Sequence, residues 1–109
     1  MSRPRRCPLY VAGAGALLLA FSPAAAAPRT YTVVIDKLKF GPLPAELRKG
    51  DKIVWVNRDF LRHTVTAANH SFDIDLPTGK TGVTVLKASG TIPFTCRFHP
   101  GMRGVLVVK

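Results

Sequence analysis

Two cysteines and three histidines are all that this 109-residue chain contains. So few cysteines exclude the disulfide framework that staples many small exported domains. No helical period of useful length runs through the chain, which excludes a helix bundle. Past residue 26 there is no internal repeat, linker or low-complexity tract. Long apolar runs are missing too. The one present, Leu9 to Phe21, is interrupted by Ala-Gly pairs and followed by Pro23, so it is too short and wrongly flanked to span a membrane.

That run follows Arg3, Arg5 and Arg6 and precedes Ala24-Ala25-Ala26-Ala27, the layout of a secretory signal peptide. Cleavage is expected after Ala26, leaving residues 27–109 as one periplasmic or otherwise secreted domain. Arg5-Arg6 also permits a twin-arginine signal, but Cys7-Pro8-Leu9-Tyr10 fits one poorly and general secretion is expected. Processing removes Arg3, Arg5 and Arg6 and lowers the formal charge from +10 to +7. It also removes Cys7. Cys96 is then an unpaired thiol in an oxidising compartment, and metal ligation protects such a sulfur from oxidation and exchange.

The remainder reads as all β. Thr32-Val33-Val34-Ile35 opens a strand expected to reach Phe40, where Gly41-Pro42-Leu43-Pro44 stops it. Lys49-Gly50-Asp51 is a turn, and Lys52-Ile53-Val54-Trp55-Val56-Asn57 has the β-branched and aromatic content of a buried strand. Further strands are predicted over 63–66, 82–86, 92–96 and 104–108. Short strands between Gly, Pro and polar turns indicate a β-sandwich or barrel. Alternation assigns Val33, Ile35, Phe40, Leu47, Ile53, Trp55, Val65, Val83, Val85, Ile92, Phe94, Val105 and Val107 to its core. Pro93 lacks a ladder donor and is expected at a bulge or sheet edge.

Chemistry concentrates in Cys96-Arg97-Phe98-His99-Pro100-Gly101-Met102, which sets a thiolate, an imidazole and a thioether three residues apart on one loop. Such soft donors select copper over zinc, magnesium or calcium. A trigonal site needs a second imidazole, and His63 in Arg62-His63-Thr64-Val65 is the upstream candidate. One copper ion is predicted on His63, Cys96 and His99, with Met102 as a weak axial ligand. His70 stands in the polar Ala68-Asn69-His70-Ser71 loop without a matching partner and reads as solvated. Phe98, Pro100 and Gly101 are expected near the surface around His99.

Arg62, Arg97 and Arg103 each flank a ligand, and a basic metal end would attract a redox partner with an acidic docking surface. Nucleic acid is a poor partner for an exported chain whose cations are scattered singly. Neither stable membrane insertion nor stable oligomerisation is expected.

Lys52 through Asp59, the following His63, Gly90-Thr91 and the terminal Cys96…His99…Met102-Arg103-Gly104-Val105 together resemble the cupredoxins, and most closely the amicyanin- and plastocyanin-like members. The resemblance covers nearly all of the chain after residue 26. It implies an eight-stranded Greek-key sandwich with copper at one end, and one-electron transfer by blue copper rather than catalysis. One departure stands out: where those relatives carry an Asn after the first histidine that ties the ligand segments together, this chain has Thr64.

A copper-trafficking or copper-resistance role would use the same soft ligands, but it favours a Met- or His-rich exposed site. After processing, Met102 is the only methionine here. A multicopper oxidase or nitrite reductase needs histidines for a second copper centre, and only His70 is left over. A cysteine hydrolase built on Cys96 and His63 leaves His99 and Met102 without a role.

Overall fold

Alternating β-branched and aromatic residues build eight short strands: β1 Thr30–Asp36, β2 Lys39–Phe40, β3 Lys52–Asn57, β4 His63–Ala67, β5 Asp73–Leu76, β6 Thr81–Val85, β7 Gly90–Thr95 and β8 Arg103–Val108. The computed structural model describes residues 27–109 together with Ser2, Pro4 and Gly15. The expected leader over residues 1–26, and Cys7 with it, otherwise lies outside the described residues. Among the described residues there is no helix, and so none long and apolar enough to cross a membrane.

The strands form two four-stranded sheets, ordered β2-β1-β3-β6 and β5-β4-β7-β8. β1 runs parallel to β3, and every other pairing is antiparallel. The chain crosses between sheets from β3 to β4, from β5 to β6 and from β6 to β7, the connections of a Greek-key sandwich. The all-β Greek-key fold expected from the sequence is the fold observed.

Phe40, Trp55 and Phe94 fill the space between the sheets in edge-on contacts, with ring centroids 4.8–6.1 Å apart. The indole N–H of Trp55 is buried and donates to Thr84 Oγ1 at 2.9 Å, so the largest core side chain carries no unmet donor. The core runs on through Cys96 and Met102 to one end of the sandwich.

Three expectations are corrected. The strand expected to reach Phe40 breaks after Asp36, because Lys37 (φ 51°) and Leu38 (φ 59°) form a two-residue turn. Such turns favour Gly or Asn, and neither is present. Here carboxylates hold the turn: Asp36 accepts the Lys37 N–H and Asp59 accepts the Leu38 N–H, each at 2.9 Å. Strand β5, which pairs with β4 from Thr66↔Asp73 to His63↔Leu76, was not expected after the polar loop.

The third correction concerns register. Val83, Val85, Val105 and Val107 face solvent at 44–54% exposure, whereas Thr84, Leu106 and Val108 face the core. A slip of one residue exchanges the two faces of a strand; the run Val-Leu-Val-Val leaves that choice open, and Val-Thr-Val favours the face opposite to the one observed. Space decides it. Gly82 and Gly104 lie on the inward faces, where a Cβ on Gly82 would collide with Ile74 and one on Gly104 would stand 2.5 Å from the Phe94 ring.

Pro93 stands within the inner strand β7, paired with Val105 on one side and at the end of the β4 ladder on the other. Its carbonyl accepts from Ala68 N–H at 2.8 Å, so its nitrogen faces the same side, just beyond the last β4–β7 pair, Ala67↔Phe94.

Gly104→Ala is expected to destabilise the domain by about 1–3 kcal/mol through overpacking against Phe94. Gly101→Ala, with nothing within 4 Å of the added carbon, should be close to neutral. Urea unfolding midpoints check both. Equal midpoints for the two variants would contradict the register argument.

Candidate metal centre

Two segments distant in sequence make the site. Cys96 follows β7 directly and Met102 directly precedes β8, so the loop between them caps the end of the sandwich. Two backbone bonds cinch it: Cys96 N–H to Met102 C=O at 3.0 Å, and Met102 N–H to His99 C=O at 2.8 Å. His63 begins β4, on the neighbouring strand of the same sheet.

The loop that leads to His63 is fastened by Asn57. Its buried amide donates to Leu61 C=O at 2.8 Å and Leu76 C=O at 2.9 Å, while its oxygen accepts Asp59 N–H at 2.9 Å. This turns Asp59 back beneath His63, whose Nε2 lies 2.8 Å from Asp59 Oδ2. The N–H of Leu38 and the hydrogen bond with His63, with the Phe60 N–H in addition, hold the Asp59 carboxyl below the usual carboxylate range. An ionised Asp59 fixes the proton of His63 on Nε2 and turns the Nδ1 lone pair inward.

Nδ1 of His63 and Nδ1 of His99 lie 3.8 and 3.7 Å from Cys96 Sγ. Bonds of roughly 2.0 Å to nitrogen and 2.3 Å to sulfur, arranged trigonally around one ion, separate N and S by about 3.7 Å. The cluster therefore suits a single copper ion, and its donors, two imidazoles and one thiolate, are of the softness copper prefers. Burial raises the Cys96 thiol pKa. The N–H groups of Thr64 and Phe98, with the two imidazoles that face the sulfur, outweigh it and bring the pKa down to about 6. The sulfur is a thiolate at neutral pH, the form that binds metal.

Thr64 couples the two segments. Its N–H donates to Cys96 Sγ at 3.3 Å, and its hydroxyl accepts the Arg97 N–H at 2.9 Å. A hydroxyl thus ties the ligand segments together.

The two histidines differ in setting. His63 is wholly buried, whereas His99 is half-buried beside a shallow depression lined by Leu38, Phe98, Pro100, Gly101 and Met102. Phe98 is exposed at the surface, as expected from sequence. Met102 is buried next to the cluster in the chain, on the loop that its own backbone closes. His70 stands apart in the β4–β5 turn, exposed and with φ 62°, its N–H donating to Ala67 C=O.

Two of the three flanking arginines are paired. Arg62 engages Asp75, and Arg97 lies 3.3 Å from Asp73. Both guanidinium groups also approach the Phe98 ring, at 5.6 and 6.0 Å from its centroid. The basic metal end is therefore narrower than the sequence suggests, with Arg103 the flanking cation that has no ion pair among the described residues.

Sequence reasoning missed Asn57 and Asp59 as supports of the site. A signal for Asp59 was there: it is one of only six acids, four residues ahead of His63.

Comparison with known proteins agrees with this geometry. The family described as a cupredoxin-like domain matches residues 9–108. No curated protein matches the chain. Among solved structures, a purple cupredoxin from Nitrosopumilus maritimus is similar with a TM-score of 0.65 and 23% identity, covering 72% of this chain and 99% of that one. A reduced amicyanin variant is similar with a TM-score of 0.63 and 26% identity, covering 73% of this chain and 82% of that one. A second amicyanin variant, in its Cu(I) form, has a TM-score of 0.62 at 26% identity over 79% of this chain and 88% of that one. The family match over nearly the whole length, and a His-Cys-His cluster of copper-binding dimensions at one end of an eight-stranded sandwich, establish that this chain belongs to the cupredoxins.

Proposed function

We propose that this chain is an exported, monomeric carrier of single electrons and not an enzyme, with copper held by His63, Cys96 and His99 and an axial Met102. The observation that carries the reading is the spacing of 3.7 and 3.8 Å between the thiolate and the two Nδ1 atoms. Copper held there by His63, Cys96 and His99 would supply a Cu(II)/Cu(I) couple, and the Met102 thioether is the residue that would tune its potential. Residues 1–26 are read as the signal that sends the domain 27–109 to the periplasm.

The chain's own residues supply rigidity. Asp59 fixes the buried His63 ring, Thr64 holds the sulfur and the peptide after it, and the backbone bonds at Met102 close the loop. Ligands braced from behind have little freedom to rearrange when the charge at the site changes. Half-buried His99 offers the shortest way out, and Leu38, Phe98 and Pro100 around it exclude water from a docked partner. A domain charge of +7 and Arg103, which has no ion pair among the described residues, favour a redox partner with an acidic docking surface.

Copper(II) added to the protein is expected to give an intense blue band from thiolate-to-copper charge transfer. Cys96→Ser should abolish the band and leave the fold intact by circular dichroism. A colourless one-to-one complex of the unaltered protein would overturn the reading. Met102→Gln should keep the colour and lower the potential, whereas loss of copper binding would remove Met102 from the axial position.

Carrier and trafficking roles separate on retention. Through repeated redox cycles against a strong Cu(I) chelator the metal should stay bound, and electron exchange with an acidic redox protein should be fast and slow down with added salt. Rapid copper loss with sluggish exchange would favour trafficking. Salt-independent exchange would remove the acidic partner.

A further inference from the structure

Thr64 is fully buried, and its hydroxyl oxygen already accepts the Arg97 N–H. A buried hydroxyl proton needs an acceptor of its own. Thr66 Oγ1 lies 2.9 Å away, and Thr66 Oγ1 is in turn 2.8 Å from Asp73 Oδ1. A carboxylate only accepts hydrogen bonds. Thr66 therefore donates to Asp73, and Thr64 is obliged to donate to Thr66. The whole series then has one direction, set at its outer end: Arg97 N–H to Thr64, Thr64 O–H to Thr66, Thr66 O–H to Asp73. The Arg97 guanidinium, 3.3 Å from the same Asp73 oxygen, closes the circuit.

We propose that Asp73 is a positioning residue for the Cys96 ligand loop, acting through the hydroxyls of Thr66 and Thr64. None of the three is adjacent to Cys96 in sequence, yet between them they hold the peptide that follows it. With the carboxylate in place, Thr64 keeps a lone pair free for the Arg97 N–H while its own N–H reaches Cys96 Sγ. Without it, the Thr66 proton is free to turn to Thr64. The buried Thr64 proton then loses its only acceptor among the described residues and competes with the Arg97 N–H. The grip on the Cys96–Arg97 peptide loosens, and the sulfur loosens with it. The β5 edge strand, which contributes no ligand, thereby acts on the site from its solvent face.

This inference rests on Cys96 being a copper ligand, so the test is read with and without metal. Amide hydrogen exchange of Arg97 is followed by NMR in the metal-free protein and in the diamagnetic Cu(I) protein. Thr66→Val, which keeps shape and charge, and Asp73→Ala are each expected to speed Arg97 exchange about tenfold, the loss of one hydrogen bond. The Ala67 amide, bonded to Phe72 C=O, should keep its rate, and Thr66→Ser should restore Arg97 protection. Thr66→Val should also shift the blue band of the Cu(II) protein. An unchanged Arg97 rate in either Thr66→Val or Asp73→Ala overturns the proposal, as does an equal rise at Ala67, which would mean general loosening of β4. Should Arg97 respond as expected in a protein with no blue band, the relay stands and the ligand assignment falls.

Discussion

The amide of Thr64 points at the sulfur of Cys96, 32 residues further along the chain, and most of what the molecule does follows from that contact. It joins β4, which carries His63, to the loop that carries Cys96, His99 and Met102. Two imidazoles converge on one sulfur only because the two segments are held in register. The same contact, with those from both histidines and from the Phe98 N–H, draws the Cys96 pKa down to about 6 against the opposing effect of burial. Geometry and ionisation of the site thus share one cause.

Charge is used sparingly to support this. The chain has six acidic residues, and each is engaged. Asp51 accepts the N–H groups of Arg29 and Arg48, Asp36 holds the β1–β2 turn, and Glu46 pairs with Lys109. The other three gather at the metal end: Asp59 under His63, Asp75 on Arg62, and Asp73 on both Thr66 and Arg97. Asp59 also accepts the Leu38 N–H, so one carboxylate sets both the buried ligand and a strained residue of the surface depression beside His99. In a strongly basic protein, carboxylates at these places do more than neutralise arginines. They aim donors.

Much of this was legible in the sequence. The spacing of Cys96, His99 and Met102 announced the loop, and the structure brings Cys96 and His99 together with His63. Strand β3 was read with its observed bounds because Ile53-Val54-Trp55-Val56 is continuously β-branched and aromatic between the polar Lys52 and Asn57. The register of β8 was misread because its run is apolar on successive residues and offers no phase, and that of β6 because Val-Thr-Val alternates in the opposite phase, its inward Thr84 accepting the Trp55 N–H. Met102 held the missing phase. Once it is taken as facing inward, Gly104, Leu106 and Val108 follow at steps of two, as Phe94 and Ile92 follow from Cys96. The Lys37-Leu38 turn was illegible because neither residue is a turn former and Asp59, which holds the Leu38 N–H from 21 residues away, acts through a tertiary hydrogen bond, with Asp36 adding only a local bond to Lys37. The hydroxyl series from Thr64 to Asp73 depends on pairing β4 with a strand that the sequence did not reveal.

The central claim is that the fold presents His63, Cys96 and His99 at copper-binding distances and holds them there. Copper K-edge X-ray absorption of the loaded protein, recorded in both oxidation states, tests this most directly. The account predicts one short Cu–S and two Cu–N contacts, with the same ligand set in Cu(II) and Cu(I). Absence of the short Cu–S contact, or a set of ligands exchanged between the two states, would contradict it.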